Sequence, residues 1–309
     1  MHAVLIDSSP GLRRFPFAHE SPTSLLPVLE RPLLSHTVRW LRKLGATEIA
    51  YATERNPAAD LDLAMAIVEN RLRPVRTLGE ALERARRDLR MDETLLVMHA
   101  NLHYLPHFST LLSRHMIGRQ AMTYVRGSSM QGPGRYTFGP PVMALCSPVV
   151  SRMMRFADSR RPLQHMLRRV RERGLATAAH EPEERVLSID NTYSLYHANL
   201  DVLSNGFVSK AIAAELGLEQ RGERLWSAPG ANLGHVRVDP TGGPVLVGAG
   251  ARIGDDAILR GPTIVGSGSE VGAGSCLHRS LVLSDSNIPE QSWVANSVVS
   301  SRLRERIAA

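Results

Sequence analysis

The sequence predicts an α/β protein in two parts: an open, mostly parallel sheet, followed by a short parallel β-helix. Two observations predict this. From residue 3 to about 205, short apolar runs alternate with stretches whose apolar residues fall at helical spacing. From Val247 the period changes to six, and Val247, Ile253, Leu259, Val265, Val271, Leu277 and Leu283 recur without a miss. Gly follows four of them, at Gly248, Gly254, Gly266 and Gly272, and the phase then slips by one to Ile288 and Val294. An inward aliphatic every six residues, with small residues at the corners, is the pattern of a parallel β-helix. The expected division is 1–205 for the α/β domain, 206–244 for a linker and 245–303 for the β-helix.

Each element has its own signal. Ala3 to Ile6 is a buried strand, closed by a Ser/Pro/Gly turn and a basic loop. Pro32 to Leu44 is a helix whose Leu33, Leu34, Val38, Leu41 and Leu44 share a face. Strands follow at Glu48–Ala52, Pro74–Arg76 and Glu93–Met98, with helices at Leu61–Leu72 and from Thr77 onward. A helix over Pro106–His115 leads to a strand, Ala121–Val125, then to Arg126–Arg135, which the density of Gly and Pro marks as a loop. Tyr136–Leu145 is a strand, Arg161–Arg173 a helix built on Leu163, Met166, Leu167 and Val170, and a closing helix starts at Tyr193.

Composition sets limits. A chain of 309 residues suffices for one large domain and a small one. No apolar run spans a bilayer and the N-terminus does not resemble a signal peptide, so a cytoplasmic location is expected. Cys146 and Cys276 are far apart and make no metal spacing, which suits reduced core residues. The net charge of +7 is spread along the chain without an aromatic-interleaved basic motif. Nucleic acid is therefore not expected as a partner, and the basic surface suits anionic nucleotide-sugars, acidic polymers or a membrane surface. Arginine clusters such as Arg168, Arg169, Arg171 and Arg173 sit on a helix, where a solvated face is their ordinary role.

The stretch from residue 2 to 28, HAVLIDSSPGLRRFPFAHESPTSLLPV, resembles the N-terminal signature of the sugar nucleotidyltransferases. These are the NDP-sugar pyrophosphorylases, mannose-1-phosphate guanylyltransferases among them. Gly11, Arg13, Pro16, Pro22 and the run Leu25 to Val28 stand where that family has its own, and Pro32-Leu33-Leu34-Ser35-His36 matches its helix start. Ser147-Pro148-Val149-Val150 and the helix containing Ala198-Asn199 are similar to later family elements, and the hexapeptide region looks like the left-handed β-helix appended to many members. The resemblance implies a nucleotidyltransferase-like, Rossmann-like sheet with its site at the carboxyl ends of the strands. It also implies a nucleotide or nucleotide-sugar bound by Ser8, Ser9, Gly11, Arg13 and Gly79, with Arg13 as the catalytic-type side chain and Mg²⁺ as the cofactor of an active member.

The departures weigh against activity. Ser8 and Ser9 replace a glycine pair that lets backbone N–H groups approach a phosphate. Thr23 stands where the family has a Lys, and Lys43 and Lys210, the only lysines, lie elsewhere. Ala100-Asn101 replaces a Gly-Asp pair whose Asp binds Mg²⁺, and an amide supplies no charge to a hard cation. His99 and His103 flank Asn101 and suit a softer metal. The second metal position falls at Ile189, with Asp190 one residue away, so Asn101 and Asp190 form at most a weak pair. The expected protein is a degenerate member that binds a nucleotide or nucleotide-sugar or serves as a regulatory or scaffold subunit. The alternative is an active NTP:sugar-1-phosphate nucleotidyltransferase with rearranged metal and phosphate ligands. Open β-helix ends point to a homo- or hetero-oligomer. An acyltransferase using His278, the one His in the regular repeats, lacks an acyl-donor motif.

Overall fold

The structure is a computed structural model that describes residues 1–7, 22–103, 107–132, 135–153, 161–182, 186–205, 213–214 and 217–307. The chain forms two compact units, Met1–Leu26 with Arg31–Asp190, and Pro27–Glu30 with Asn191–Ala309. The helix expected to close the first domain therefore groups with the second unit.

In chain order the elements up to Asp190 are β1 (His2–Ile6), β2 (Pro27–Val28), β3 (Arg31–Pro32), α1 (Leu33–Lys43), β4 (Glu48–Ala52), α2 (Leu61–Glu69), β5 (Arg73–Val75), α3 (Leu78–Asp88), β6 (Leu95–His99), β7 (Leu102–His103), α4 (Phe108–Ile117), β8 (Met122–Gly132), β9 (Arg135–Cys146), α5 (Pro148–Met153), α6 (Pro162–Glu172), β10 (Thr177–His180) and β11 (Leu187–Ser188). The sheet of the first unit runs β5-β4-β1-β6-β9-β8-β11-β7, with β10 beside β8. Strand β1 lies between β4 and β6, parallel to both, and its register sets Ile6 level with Ala52 and with His99. Three strands thus deliver Asp7, Thr53 and Ala100 to one end of the sheet, the end where open α/β sheets bind ligands.

Both faces of the sheet are covered. Leu34, Val38 and Leu41 of α1, with Leu63 of α2 and Leu111 of α4, pack against Leu5, Tyr51 and Met98. On the other face Leu82 of α3 and Met166 and Val170 of α6 meet Val4, Val97 and Ala144. Strands buried on both sides explain the unbroken apolar runs in the sequence. Local chemistry starts the helices: the Thr77 hydroxyl accepts the Glu80 N–H at 3.1 Å ahead of α3, and Asp60 accepts the Leu63 N–H at 3.0 Å ahead of α2.

The segment Arg126–Arg135 departs from expectation. It is strand rather than loop over most of its length, because β8 and β9 continue as an antiparallel hairpin, with Arg126 opposite Pro141 and Ser128 opposite Phe138. The register shifts three times along it, at Val125/Arg126, Arg126/Ser128 and Met130/Gly132. Gly127 falls at the second of these shifts, where it marks an irregularity in the ladder and not its end.

Beyond Asp190 the described residues of the second unit form α7 (Thr192–Asn205) and fourteen short strands: β12 (Glu219–Gln220), β13 (Leu225–Ser227), β14 (Arg237–Val238), β15 (Val245–Val247), β16 (Arg252–Ile253), β17 (Ile258–Arg260), β18 (Thr263–Val265), β19 (Glu270–Val271), β20 (Cys276–His278), β21 (Leu281–Val282), β22 (Asn287–Ile288), β23 (Trp293–Ala295), β24 (Ser297–Val299) and β25 (Arg304–Arg306). They form a seven-stranded sheet (β12-β13-β15-β18-β21-β24-β25), a four-stranded one (β14-β17-β20-β23) and a three-stranded one (β16-β19-β22). From β15 the chain visits the three sheets in turn and each strand pairs in parallel with the one three strands on, a topology compatible with a β-helix. Stacked strands begin at β13, inside the stretch expected as a linker, where Leu225 pairs with Val245.

The aliphatic series enters one core as predicted, with one correction. Val282, not Leu283, is the next residue of this core after Leu277, and Leu283 is only half-buried. Val265 pairs with Val282 and Val271 with Ile288, so the loss of one residue falls in the turn before β21. The glycines follow from the stacking: a Cβ on Gly254 would lie 2.5 Å from the Ala273 nitrogen, and one on Gly266 2.5 Å from the Ser284 nitrogen. The next coil leaves room only for hydrogen.

Candidate functional site

The candidate site is built on the carboxyl ends of β1, β4 and β6. Asp7 directly follows the buried run of β1, and its N–H is held by the Ala52 carbonyl at 2.9 Å. Its carboxylate accepts the Ser24 hydroxyl at 3.1 Å and the Thr53 hydroxyl at 3.2 Å. Ser24 also shares a 2.8 Å hydrogen bond with the Tyr51 hydroxyl, which is itself buried. Burial pushes the Asp7 carboxyl up to about 6, against hydrogen bonds from Tyr51, Ser24 and Thr53 and the charge of Arg55, all of which pull it down. Burial, then the Asp7 charge, drives the Tyr51 hydroxyl well above its ordinary range, so it stays a proton donor at neutral pH.

Asp7 is the residue that sequence reasoning missed. Its signal was present: a single acid closing an otherwise apolar strand, immediately before the loop that resembles a phosphate cradle. That loop's Ser8, Ser9, Gly11 and Arg13 lie outside the described residues. Gly79 is described. It sits in the first turn of α3, beside a cleft of about 740 Å³ lined by Thr53, Arg55, Val75, Arg76, Thr77 and Glu80. Arg55 and Arg76 supply positive charge there, and Glu80 is already engaged by Arg84 at 2.7 Å.

Asn101 is buried and tied to Ile189 twice. The Ile189 N–H donates to the Asn101 carbonyl at 2.9 Å, and the Asn101 side-chain amide donates to the Ile189 carbonyl at 3.1 Å. Asp190 accepts the Ser129 hydroxyl at 2.8 Å. The structure therefore brings the Asn101 and Asp190 segments together, but through hydrogen bonds of neutral groups. His99 is buried, and burial with the neighbouring His36 charge lowers His103 to about 4, leaving it neutral. Of Asn101, Asp190, His99 and His103, only Asp190 offers the carboxylate oxygens through which Mg²⁺ is held, and that carboxylate accepts the Ser129 hydroxyl. Among the described residues no group of three His, Cys, Asp or Glu is placed to hold a metal ion.

A second family-like position has a clear structural role. Asn199 of α7 is buried; its side-chain oxygen accepts the Leu29 N–H at 3.0 Å and its amide donates to the Pro27 carbonyl at 2.9 Å. Beside it, Glu30 accepts the Ser267 N–H at 2.7 Å and hydroxyl at 2.6 Å. Within the second unit these bonds fix the backbone of Pro27–Glu30, where Leu29 and Glu30 adopt left-handed conformations with φ of 50° and 65°.

No family model matches the chain, and no curated protein sequence matches it. Similar solved structures include a chain assigned as a glucose-1-phosphate thymidylyltransferase from Bacillus anthracis, determined in complex with a sucrose. It is 15% identical with a TM-score of 0.48, over 64% of this chain and 94% of its own. A UDP-glucose pyrophosphorylase from Acinetobacter baumanii is 13% identical with a TM-score of 0.47, over 70% of this chain and 97% of its own. Both of these structural neighbours are sugar nucleotidyltransferases.

Proposed function

We propose that the chain is a degenerate sugar nucleotidyltransferase of sugar-nucleotide or polysaccharide metabolism. In this reading the first unit has a nucleotidyltransferase-like fold that binds a nucleotide or nucleotide-sugar at the carboxyl ends of β1, β4 and β6. The second carries a left-handed β-helix, and the protein acts as a regulatory or scaffold subunit. The observation that carries the reading is the Asn101–Ile189 tie. The residue that matches the family's metal-binding acid is a neutral amide spent on a backbone carbonyl. The position matching the second ligand is the apolar Ile189. The Asp7 carboxylate adds to this, since a negative charge beside the phosphate loop repels a triphosphate. Removing a single transition-state contact costs on the order of 3 kcal/mol, and here several bear on one charge-balanced step.

One observation favours a second reading, an active transferase with rearranged ligands. Asp7 supplies, from β1, a carboxylate of the kind that position 101 lacks. Mg²⁺ is a cofactor only under this reading. The test is pyrophosphate release by the purified chain with Mg²⁺ or Mn²⁺ and a panel of NTPs and sugar 1-phosphates, with Arg13→Ala in parallel. The expected result is nucleotide binding that Arg13→Ala weakens, without turnover. Turnover abolished by Arg13→Ala overturns the degenerate reading and makes Asp7 the next residue to substitute.

A further inference from the structure

Helix α6 has two unlike faces. Leu163, Met166, Leu167 and Val170 are buried, while Arg161, Gln164, Arg168 and Arg171 recur at intervals of three and four on the other side. That polar face is one wall of a cleft of about 870 Å³. The opposite wall is the β8–β9 hairpin, which contributes Tyr124, Arg126 and Phe138. No residue of this cleft comes from β1, β4 or β6, so it is separate from the strand-end site.

Among the described residues, Arg126, Arg161, Arg168 and Arg171 line it with one carboxylate, Glu172, which already serves Arg168 at 3.6 Å and Arg169 at 3.2 Å. Arg171 is held in place: it donates to the Tyr124 hydroxyl at 3.1 Å and lies 5.7 Å from the centre of that ring. Guanidinium groups gathered on one concave surface repel one another, and a phosphate relieves that repulsion while accepting paired N–H donors. The same cleft contains Phe138, a large aromatic that is 71% exposed. An exposed ring beside a phosphate-type cluster matches a ligand with a flat heterocycle at one end and phosphates at the other. The volume suits a ligand of that size.

We propose that the α6–hairpin cleft is a second nucleotide site, with the base on Phe138 and the phosphates on Arg126, Arg161 and Arg168. The test is calorimetric binding to the full chain carrying Arg13→Ala, which removes the strand-end loop's contribution. The probes are ADP, adenosine and inorganic pyrophosphate. ADP is expected to bind, more weakly as salt rises, and to lose about tenfold or more in affinity on adding Arg126→Ala or Arg168→Ala. Arg168→Lys, which keeps the charge and the fold but not the paired donors, is expected to give an intermediate loss. Phe138→Ala is expected to weaken ADP and leave pyrophosphate unchanged. ADP binding unmoved by the Arg126→Ala/Arg168→Ala pair, or no ADP binding, overturns the proposal. Pyrophosphate binding as tightly as ADP, with no effect of Phe138→Ala, also overturns it and leaves a general anion patch.

Discussion

A carboxylate that ends a buried strand is costly wherever it has no ligand to serve. Asp7 has a pKa of about 6 against an ordinary 3.8, chiefly because burial penalises the charged form. The sign of its effect on stability follows. Below about pH 3.8 the group is neutral both folded and unfolded and contributes no penalty. As pH rises from 3.8 toward 6, the unfolded chain loses its proton while the folded one keeps it, so stability falls across that window and then levels off. Asp7→Asn removes the titration. Relative to the native chain, it is expected to be near neutral at about pH 4 and stabilised by about 1–3 kcal/mol at about pH 7.5 in urea unfolding. A difference that stays flat across the window would mean that Asp7 is solvated. The same variant tests the site, since Asp7→Asn should tighten nucleotide binding if the carboxylate opposes phosphate.

At the level of elements, the two units show how far a pattern carries. The six-residue aliphatic series led to the correct core residues until Leu283, an apolar residue one position beyond the buried Val282. A second series locates the slip. Thr263, Ser269, Ser275 and Ser280 are buried at or just before the starts of strands, and their spacing drops from six to five between Ser275 and Ser280. These hydroxyls bridge coils: Ser269 donates to the Leu283 carbonyl at 2.9 Å and accepts the Ser286 N–H at 3.1 Å. Hydrophobicity alone cannot see that ladder. Val282→Ala is expected to cost on the order of 2 kcal/mol and Leu283→Ala less than about 0.5 in equilibrium unfolding, and the reverse order would restore the unslipped register. Asn199→Ala is a parallel test in α7. It strands the Leu29 N–H and the Pro27 carbonyl in the interior, at an expected cost of about 2–3 kcal/mol. A loss below about 0.5 kcal/mol would show that solvent replaces those bonds.

For the molecule as a whole, what was legible in the sequence is what local pattern encodes. Strand and helix alternation, both reduced cysteines, at Cys146 and Cys276, and the stacked C-terminal strands follow from periodicity and composition. The enclosure of Asp7 by Ser24 and Thr53, the hairpin beyond Val125 and the α6 cleft did not, because each depends on which elements become neighbours. The ends of the large C-terminal sheet are another such case. Open coil ends led to the expectation of an oligomer, yet on this sheet the chain supplies its own cover. Strand β12 pairs antiparallel with β13 at one edge, and β25 pairs antiparallel with β24 at the other. Strand β25 is three residues long and carries Arg304, Glu305 and Arg306, and short charged edges resist further pairing. Truncation after Val299 removes that cover and presents the N–H and C=O groups of Ser297–Val299. The truncated chain is expected to associate with rising concentration by light scattering on a sizing column, while the full chain keeps one mass over the same range. Equal behaviour of the two would mean that β25 is not what closes this edge. Concentration-dependent association of the full chain would direct the search for an interface to the two smaller sheets.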